Sequence, residues 1–311
     1  MSPAIAILST VAGIALIAIA LRDVFDALFH QGARGALSRA LMRGTWWTFH
    51  RLARVRRGLL PVAGPTMLLV IVATWAAMLA VGWALIFWPQ MPEGFYFSSP
   101  QGDASRGQFL DAVYMSLVTL ATIGFGDITP VHTWLRVLTP LEALLGFGLL
   151  SGSISWLLSI YPALLRRHSL AYEIALLREA EQERGLGVGD LTNEAAEGLY
   201  AELTSRLVAV ERDLVTFPIS YYFAAGDRQF ALSSVMPYLL ELAQRGDQQG
   251  SPASLRLRAT LLREAIDDFA RTTSARFHGH PSDSTEELLE AYARDHYRTS
   301  EREKVAYEVP A

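Results

Sequence analysis

Uncharged runs divide this sequence. Pro3 to Leu21 carries no charged side chain, Thr66 to Trp88 carries none in 23 residues, and Val137 to Leu165 carries only Glu142. A hydrocarbon layer about 30 Å thick is crossed by roughly 20 apolar residues in a helix, so each run is long enough to span. Residues 109–121 contain no Gly or Pro and predict a further helix of about three and a half turns, too short to cross. Beyond Pro162 the pattern turns amphipathic, with Leu170, Ile174 and Leu177 on one side and Arg178, Glu179, Glu181 and Glu183 beyond, a pattern that would continue the preceding helix until Gly185, Gly187 and Gly189. Further helices are expected at 193–213, 229–245, 252–272 and 284–298. Ser251-Pro252 reads as an N-cap followed by proline at the first helical position, and Ser284-Thr285-Glu286-Glu287 as a capping box. Long alternating β-branched runs are absent. The fold class is therefore an all-α membrane protein with three transmembrane helices, a short re-entrant helix and an all-α C-terminal domain.

The expected organisation is an N-terminal transmembrane helix in 1–29, a basic amphipathic linker in 30–65, a two-span membrane unit in 66–165 and a helical domain in 166–311. The two-span unit comprises an outer helix 66–88, a short helix 109–121, a loop 122–127 and an inner helix 134–161. Met1-Ser2-Pro3-Ala4-Ile5 lacks the basic start of a cleaved signal peptide, so residues 3–21 are read as a retained span.

Charge supplies the orientation. Arg34, Arg39, Arg43, Arg51, Arg54, Arg56 and Arg57 follow Asp26 with no carboxylate among them, and cationic short loops face the cytoplasm. The outer helix then runs outward and ends in Trp83, Phe87 and Trp88. The inner helix returns to Arg166 and Arg167. The expected placement is a multi-pass protein of the inner membrane, with its N-terminus outside and its C-terminal domain cytoplasmic. The spacing of Arg51, Arg54 and Arg57 resembles a voltage sensor, but no charge-free span surrounds it and Pro61 and Pro65 separate it from the next helix. A surface-lying amphipathic helix is the expected form.

The chemistry lies in Thr122-Ile123-Gly124-Phe125-Gly126-Asp127, directly after the short helix. Asp111 in that helix's first turn suits its positive end, and its carboxyl end points into the membrane. Irregular backbone at that depth is tolerated where it lines a cavity or is buried in protein. Gly124 and Gly126 take positive φ at little cost, which lets the carbonyls of Thr122, Ile123, Gly124 and Phe125 point one way. Copies arranged around an axis would stack rings of oxygens that replace the water shell of a cation. The Thr122 hydroxyl adds a ring, and Ile123 and Phe125 pack outward.

Thr119-x-x-Thr122-x-Gly124-Phe125-Gly126-Asp127 resembles the selectivity-filter signature of potassium channels, and helix, re-entrant loop, helix is similar to the pore domain of their bacterial members with one pore repeat. The resemblance covers roughly residues 66–162. It implies a homotetramer in a lipid bilayer that conducts K+ passively, with K+ as the transported ion and no organic cofactor. It further implies ion binding at Thr122, Ile123, Gly124, Phe125 and Gly126, and filter support from Thr119, Asp127, Tyr114 and Val118. By position, Gly146, Phe147, Leu150, Ile154 and Leu158 fall in the inner cavity and gate. Gly146 has two readings, a hinge or a site of close helix packing beside Gly148 and Gly152. Glu142 also has two, a structural hydrogen-bonding role or a regulatory, pH-sensing one. Three departures stand out: Phe125 replaces the commoner Tyr, Tyr114 and Met115 stand where tryptophans are frequent, and Val118 stands where some bacterial members have a carboxylate. Together they predict a more apolar, less hydrogen-bonded support for the filter.

Other classes find less in this chain. The C-terminal portion from residue 162 carries 17 basic and 24 acidic side chains, which argues against a nucleic-acid binder. With Cys 0, thiolate chemistry and disulfides are excluded. No Walker lysine motif, catalytic triad or metal-ligand cluster is visible, so no enzymatic activity is expected. The spacing of Gly185, Gly187 and Gly189 fails the dinucleotide pattern. His278, His280 and Asp283 read as a solvated loop rather than a metal site. Two alternatives remain to be separated by conduction: a subunit that couples cation flux to another energy source, and a membrane-anchored sensory or scaffold protein with an inert pore.

Overall fold

The computed structural model describes residues 2–29, 35–53, 60–98, 107–248, 250–279, 282 and 284–296. Arg34, Arg54, Arg56, Arg57, His280 and Asp283 lie outside them, so the arginine spacing and the His/Asp loop find no test there. Among the described residues no group of three or more His, Cys, Asp or Glu could hold a metal. The chain divides into two compact units, Met1–Trp47 with Pro65–Ser159, and Thr48–Gly64 with Ile160–Ala311.

Among the described residues three helices are long and apolar enough to cross a membrane, spanning Pro3–Leu28, Leu60–Gln90 and Thr133–Arg184. The elements of the first unit are α1 (Pro3–Phe29), α2 (Ala36–Ala53), α3 (Leu60–Phe87), β1 (Phe95–Phe97), α4 (Phe109–Leu120), β2 (Ile128–Pro130) and α5 (Thr133–Arg184), of which α2, α3 and α5 continue into the second. The expected outer helix 66–88 is corrected at its start. Pro61 and Pro65 do not break α3 but lie inside it. Pro61 occupies the first turn, where its missing N–H would have no intrahelical acceptor. The inner helix runs on beyond its pore stretch 134–161, through Pro162 to Arg184, as the amphipathic pattern leads one to expect, and Gly185 at φ +62° terminates it.

Small residues bring α1 against α3. A Cβ on Gly13 would stand 2.5 Å from the Gly82 carbonyl oxygen, and one on Gly82 would stand 2.6 Å from Ile17 Cγ1. The Ser9 hydroxyl donates to the Leu85 carbonyl at 2.7 Å. Apolar side chains gain little from meeting one another in lipid, so close backbone approach and hydrogen bonds between helices hold such a pair. Farther along, Trp75 of α3 lies beside Trp156 of α5, with ring centroids 5.9 Å apart.

The second unit is helical: α6 (Asn193–Thr216), α7 (Leu232–Gly246), α8 (Ala253–Thr273) and α9 (Thr285–His296). α8 packs against the other three. Leu203 and Leu207 of α6, Leu239 and Leu242 of α7, Leu262, Ile266 and Phe269 of α8, and Leu288 and Tyr292 of α9 are buried between them. The expected cap at Ser251 shifts by one residue: Pro252 is the N-cap of α8 and makes no side-chain cap bond. Ser284 does cap α9, its hydroxyl accepting from Glu287 N at 3.4 Å.

A polar cluster lies in this unit's interior. The Arg167 guanidinium donates to the carbonyls of Ser220, at 2.8 Å, and Phe223. The Tyr221 ring stacks on Phe277 with centroids 3.9 Å apart, and its hydroxyl donates to Asp295 at 2.5 Å. His296 Nε2 is 2.9 Å from the Tyr221 carbonyl. Burial, reinforced by the Arg167 charge, pushes the His296 imidazole from 6.5 down to about 4. A group whose folded pKa is depressed leaves the unfolded chain to take up its proton first. Its contribution is present above pH 6.5 and is lost as pH falls toward 4, by about 3 kcal/mol in all. The melting temperature of the full chain should therefore drop between pH 7 and 4.5, and His296→Gln should flatten that drop. A pH profile identical in the two proteins would remove His296 as its source.

Candidate functional site

The short helix α4 is held at both ends by its own sequence. Its N-cap is Gln108, and the Asp111 carboxylate accepts from Gly107 N at 2.9 Å and Gln108 N at 3.0 Å. That carboxylate also places negative charge at the positive end of the helix. At the carboxyl end, carbonyls without intrahelical partners turn to the loop that follows. Thr119 O accepts from Thr122 N at 2.9 Å, and Val118 O accepts from Ile123 N at 2.9 Å and Gly124 N at 3.4 Å. Thr119 and Val118 thus touch the loop through backbone atoms.

Alternate residues of the loop then take left-handed backbone: Thr122 at φ +57°, Gly124 at +59° and Gly126 at +77°. Left-handed and right-handed residues in alternation turn successive carbonyls to a common side. The glycines adopt this at little cost; Thr122 does not, since a β-branched residue at positive φ is strained by about 1 kcal/mol or more. Such strain persists where surrounding structure over-determines it, and here the bond to Thr119 O does so. The sequence points to positive φ at the two glycines alone, so Thr122 is an addition that only the structure supplies.

The outer end is tied down twice. The Tyr114 hydroxyl donates to Asp127 Oδ2 at 2.7 Å, and Ser98 N donates to the Asp127 carbonyl at 2.9 Å. This corrects the expected apolar support: Tyr114 reaches Asp127, so one polar tie between α4 and the outer loop is present although Phe125 has no hydroxyl. β1 and β2 pair antiparallel beside it, with Tyr96 opposite Thr129. Ile123 and Phe125 are 56% and 66% exposed, their side chains uncovered by the other described residues.

Behind the loop stands α5. A Cβ on Gly146 would lie 1.9 Å from the Leu120 carbonyl oxygen and 2.8 Å from its carbon. The inner helix therefore meets the end of α4 backbone to backbone, and of the two readings of Gly146 close packing accounts for the glycine. A Cβ on Gly148 would meet no atom within 4 Å, whereas one on Gly152 would meet Leu28 Cδ1 at 3.1 Å. One turn before Gly146, the fully buried Glu142 accepts a hydrogen bond from the Ser116 hydroxyl of α4. Nothing in the sequence pairs this serine with a carboxyl 26 residues away. Phe147, Leu150, Ile154 and Leu158 are all exposed, on a different side of α5 from Glu142 and Gly146.

A second buried carboxyl gives no signal in the sequence. Asp23 of α1 is 5% exposed, and its Oδ1 accepts from Leu37 N at 3.1 Å. Its Oδ2 accepts from Ser38 N at 3.2 Å, the Ser38 hydroxyl at 2.5 Å and Trp75 Nε1 at 2.9 Å. It caps α2 from a distance while binding α3.

Compared with known families, residues 66–161 match the one described as "Ion channel". The chain is 24% identical over 168 residues to the uncharacterized membrane protein YdjJ of Bacillus subtilis (strain 168), covering 54% of this chain and 48% of the relative. It is 37% identical over 60 residues to two-pore potassium channel 5 of Arabidopsis thaliana, covering 18% of this chain and 15% of the relative. It is 37% identical over 93 residues to two pore potassium channel c of Oryza sativa subsp. japonica, covering 29% of this chain and 19% of the relative. The chain thus spans about half the length of the Bacillus relative and under a fifth of either plant channel. No solved structure matches it.

Proposed function

We propose, from the match of residues 66–161 to the family described as "Ion channel", that this chain is one subunit of a homotetrameric, potassium-selective channel that conducts K+ passively through the inner membrane. The observation that carries this reading is the alternation of positive φ at Thr122, Gly124 and Gly126, placed at the carboxyl end of a helix too short to span. Such backbone is able to present a column of carbonyl oxygens, and a dehydrated K+ needs such oxygens in place of its hydration shell. One copy offers one column, so a ring requires several copies. The uncovered Ile123 and Phe125 side chains and the exposed row Phe147, Leu150, Ile154 and Leu158 support neighbours around a common axis.

Roles follow residue by residue. Thr122, Ile123, Gly124 and Phe125 give carbonyls to the ion, Thr122 adds its hydroxyl, and Gly126 permits the final turn. Tyr114, Val118, Thr119 and Asp127 brace that column, and Phe147, Leu150, Ile154 and Leu158 line the inner cavity and gate. Glu142 positions α4 through Ser116. The N-terminus lies outside and the helical domain in the cytoplasm.

Reconstituted into liposomes, the protein should pass K+ at least about tenfold faster than Na+ in an ion-flux assay. Equal rates would sink the filter assignment, and no flux of either ion would favour an inert pore.

A further inference from the structure

Segment 218–223 touches both α3 and α5 inside the second unit, which takes in residues 60–64 of α3 and 160–184 of α5. The segment is the 3-10 turn Pro218–Tyr222 followed by Phe223. On the α3 side, the Phe223 ring lies on the backbone of Gly64. A Cβ there would stand 2.5 Å from the ring's Cγ and 2.6 Å from its Cδ2. On the α5 side, the Arg167 guanidinium donates to the Ser220 and Phe223 carbonyls. Residues three apart on a 3-10 turn stand one above the other, so one planar fork reaches both carbonyls. Tyr221 fastens the same segment to α9, its hydroxyl donating to Asp295 and its carbonyl 2.9 Å from His296 Nε2.

Two local preferences are set aside at this segment. Glycine is a poor helix former, yet only its bare backbone leaves room for the ring. Arg167 is 5% exposed, and carbonyls rather than a carboxylate receive its charge. An apolar side chain would be buried there without that desolvation cost, whereas the fork fixes where the segment sits. Departures from local preference that meet on one segment mark geometry held for a function. We infer that 218–223 is a strap through which the helical domain, α6 to α9, sets the spacing of α3 and α5 and so regulates conduction. The inference rests on the channel proposed above and adds its point of control. A shift of α9 draws on the segment through Tyr221. The segment passes it to α3 through Phe223 and to α5 through Arg167, so one displacement reaches the outer and the inner helix together.

Gly64→Ala tests the strap in the full chain in liposomes, alone and in the Phe223→Ala and Arg167→Gln backgrounds. Alone it should change potassium flux at least about threefold, because its methyl group overlaps the ring. In either background it should change flux by less than about 1.5-fold, since substitutions along one chain of contacts do not add. Pro65 also disfavours a side chain at position 64 of a helix, and that clash survives removal of the ring. A Gly64→Ala effect that persists in the Phe223→Ala background therefore assigns the glycine to Pro65 and overturns the strap. An effect that multiplies with that of Arg167→Gln makes the two contacts separate anchors and overturns it as well. Unchanged flux in all three single variants reduces the segment to a structural tie, and the regulatory role falls while the channel stands. Gly198→Ala, where an added Cβ meets nothing within 4 Å, is the control and should conduct like the unsubstituted protein. Amide exchange in α8 shows which variants are folded. Where Arg167→Gln is not, Arg167→Lys replaces it, keeping the charge without the fork. An unsubstituted protein that passes no potassium, or passes sodium equally, sinks the channel reading itself and the strap with it.

Discussion

Gly146→Ala should abolish most of the conducted flux, while Gly148→Ala should leave it nearly intact. The added methyl group at position 146 would stand 1.9 Å from the Leu120 carbonyl oxygen and 3.0 Å from the Leu120 Cα. Both atoms are backbone, so no rotamer change relieves the clash; α5 and the end of α4 must separate. Overpacking that moves backbone costs about 3 kcal/mol or more. The displaced point is the residue just before Ala121 and Thr122, where the loop leaves α4 and where Thr119 O holds Thr122 in its strained conformation. A cost of that size falling on the conducting arrangement reduces its population by about a hundredfold. At position 148 an added Cβ meets nothing within 4 Å among the described residues, and Ala is the better helix former by about 1 kcal/mol. Flux from liposomes containing equal amounts of each variant makes the comparison. A Gly146→Ala protein that conducts normally would return the glycine to the hinge reading, in which local stiffness and not space decides.

What can be read directly from the residues is whatever local chemistry dictates. Uncharged runs announce spans because hydrocarbon excludes charge. The Gly- and Pro-free stretch 109–121, opened by Asp111, bounds α4 to within a residue, since caps and glycines act on their own neighbourhoods. Proline misleads at one helix end for a related reason. Pro61 and Pro65 suggest a break, yet a helix tolerates proline in its first turn, and a membrane-type helix passes one farther in when neighbouring groups satisfy the freed carbonyl. The rest of the site depends on tertiary pairing. Thr122 gives no local sign of positive φ, because its β-branch argues for the opposite and only the bonds from α4 impose it. Tyr114 with Asp127, Ser116 with Glu142, and Gly146 with Leu120 are pairs joined by folding, 13, 26 and 26 residues apart. Asp23 reads as an ordinary charge near the end of a span, and its partners lie on two other helices.

Asp23→Ala should destabilise the protein more than any other single carboxyl substitution in its first unit. Two oxygens of one buried side chain accept from Leu37 N, Ser38 N, the Ser38 hydroxyl and Trp75 Nε1. Leu37 and Ser38 are the second and third residues of α2, whose first amides have no intrahelical acceptor, so Asp23 does for α2 what an N-cap side chain does. The fit is close: a Cβ on Gly35 would lie 2.5 Å from Asp23 Oδ1. Truncation removes a cap, worth about 1 kcal/mol, and leaves the Trp75 indole N–H and the Ser38 hydroxyl without their partner, at about 1–3 kcal/mol each. The sum is of order 3–7 kcal/mol. Asp23→Asn keeps one acceptor oxygen but turns an amide N–H2 toward donors, so its loss should be intermediate. Thermal unfolding in nanodiscs ranks the two against the unsubstituted protein. Because Asp23 joins α1, α2 and α3 at one point, its loss should also release α2 before the rest of the unit melts, seen as early hydrogen exchange at the amides of Leu37 and Ser38. Unchanged protection at those two amides in the Ala variant would mean that α2 is held by something other than this carboxyl.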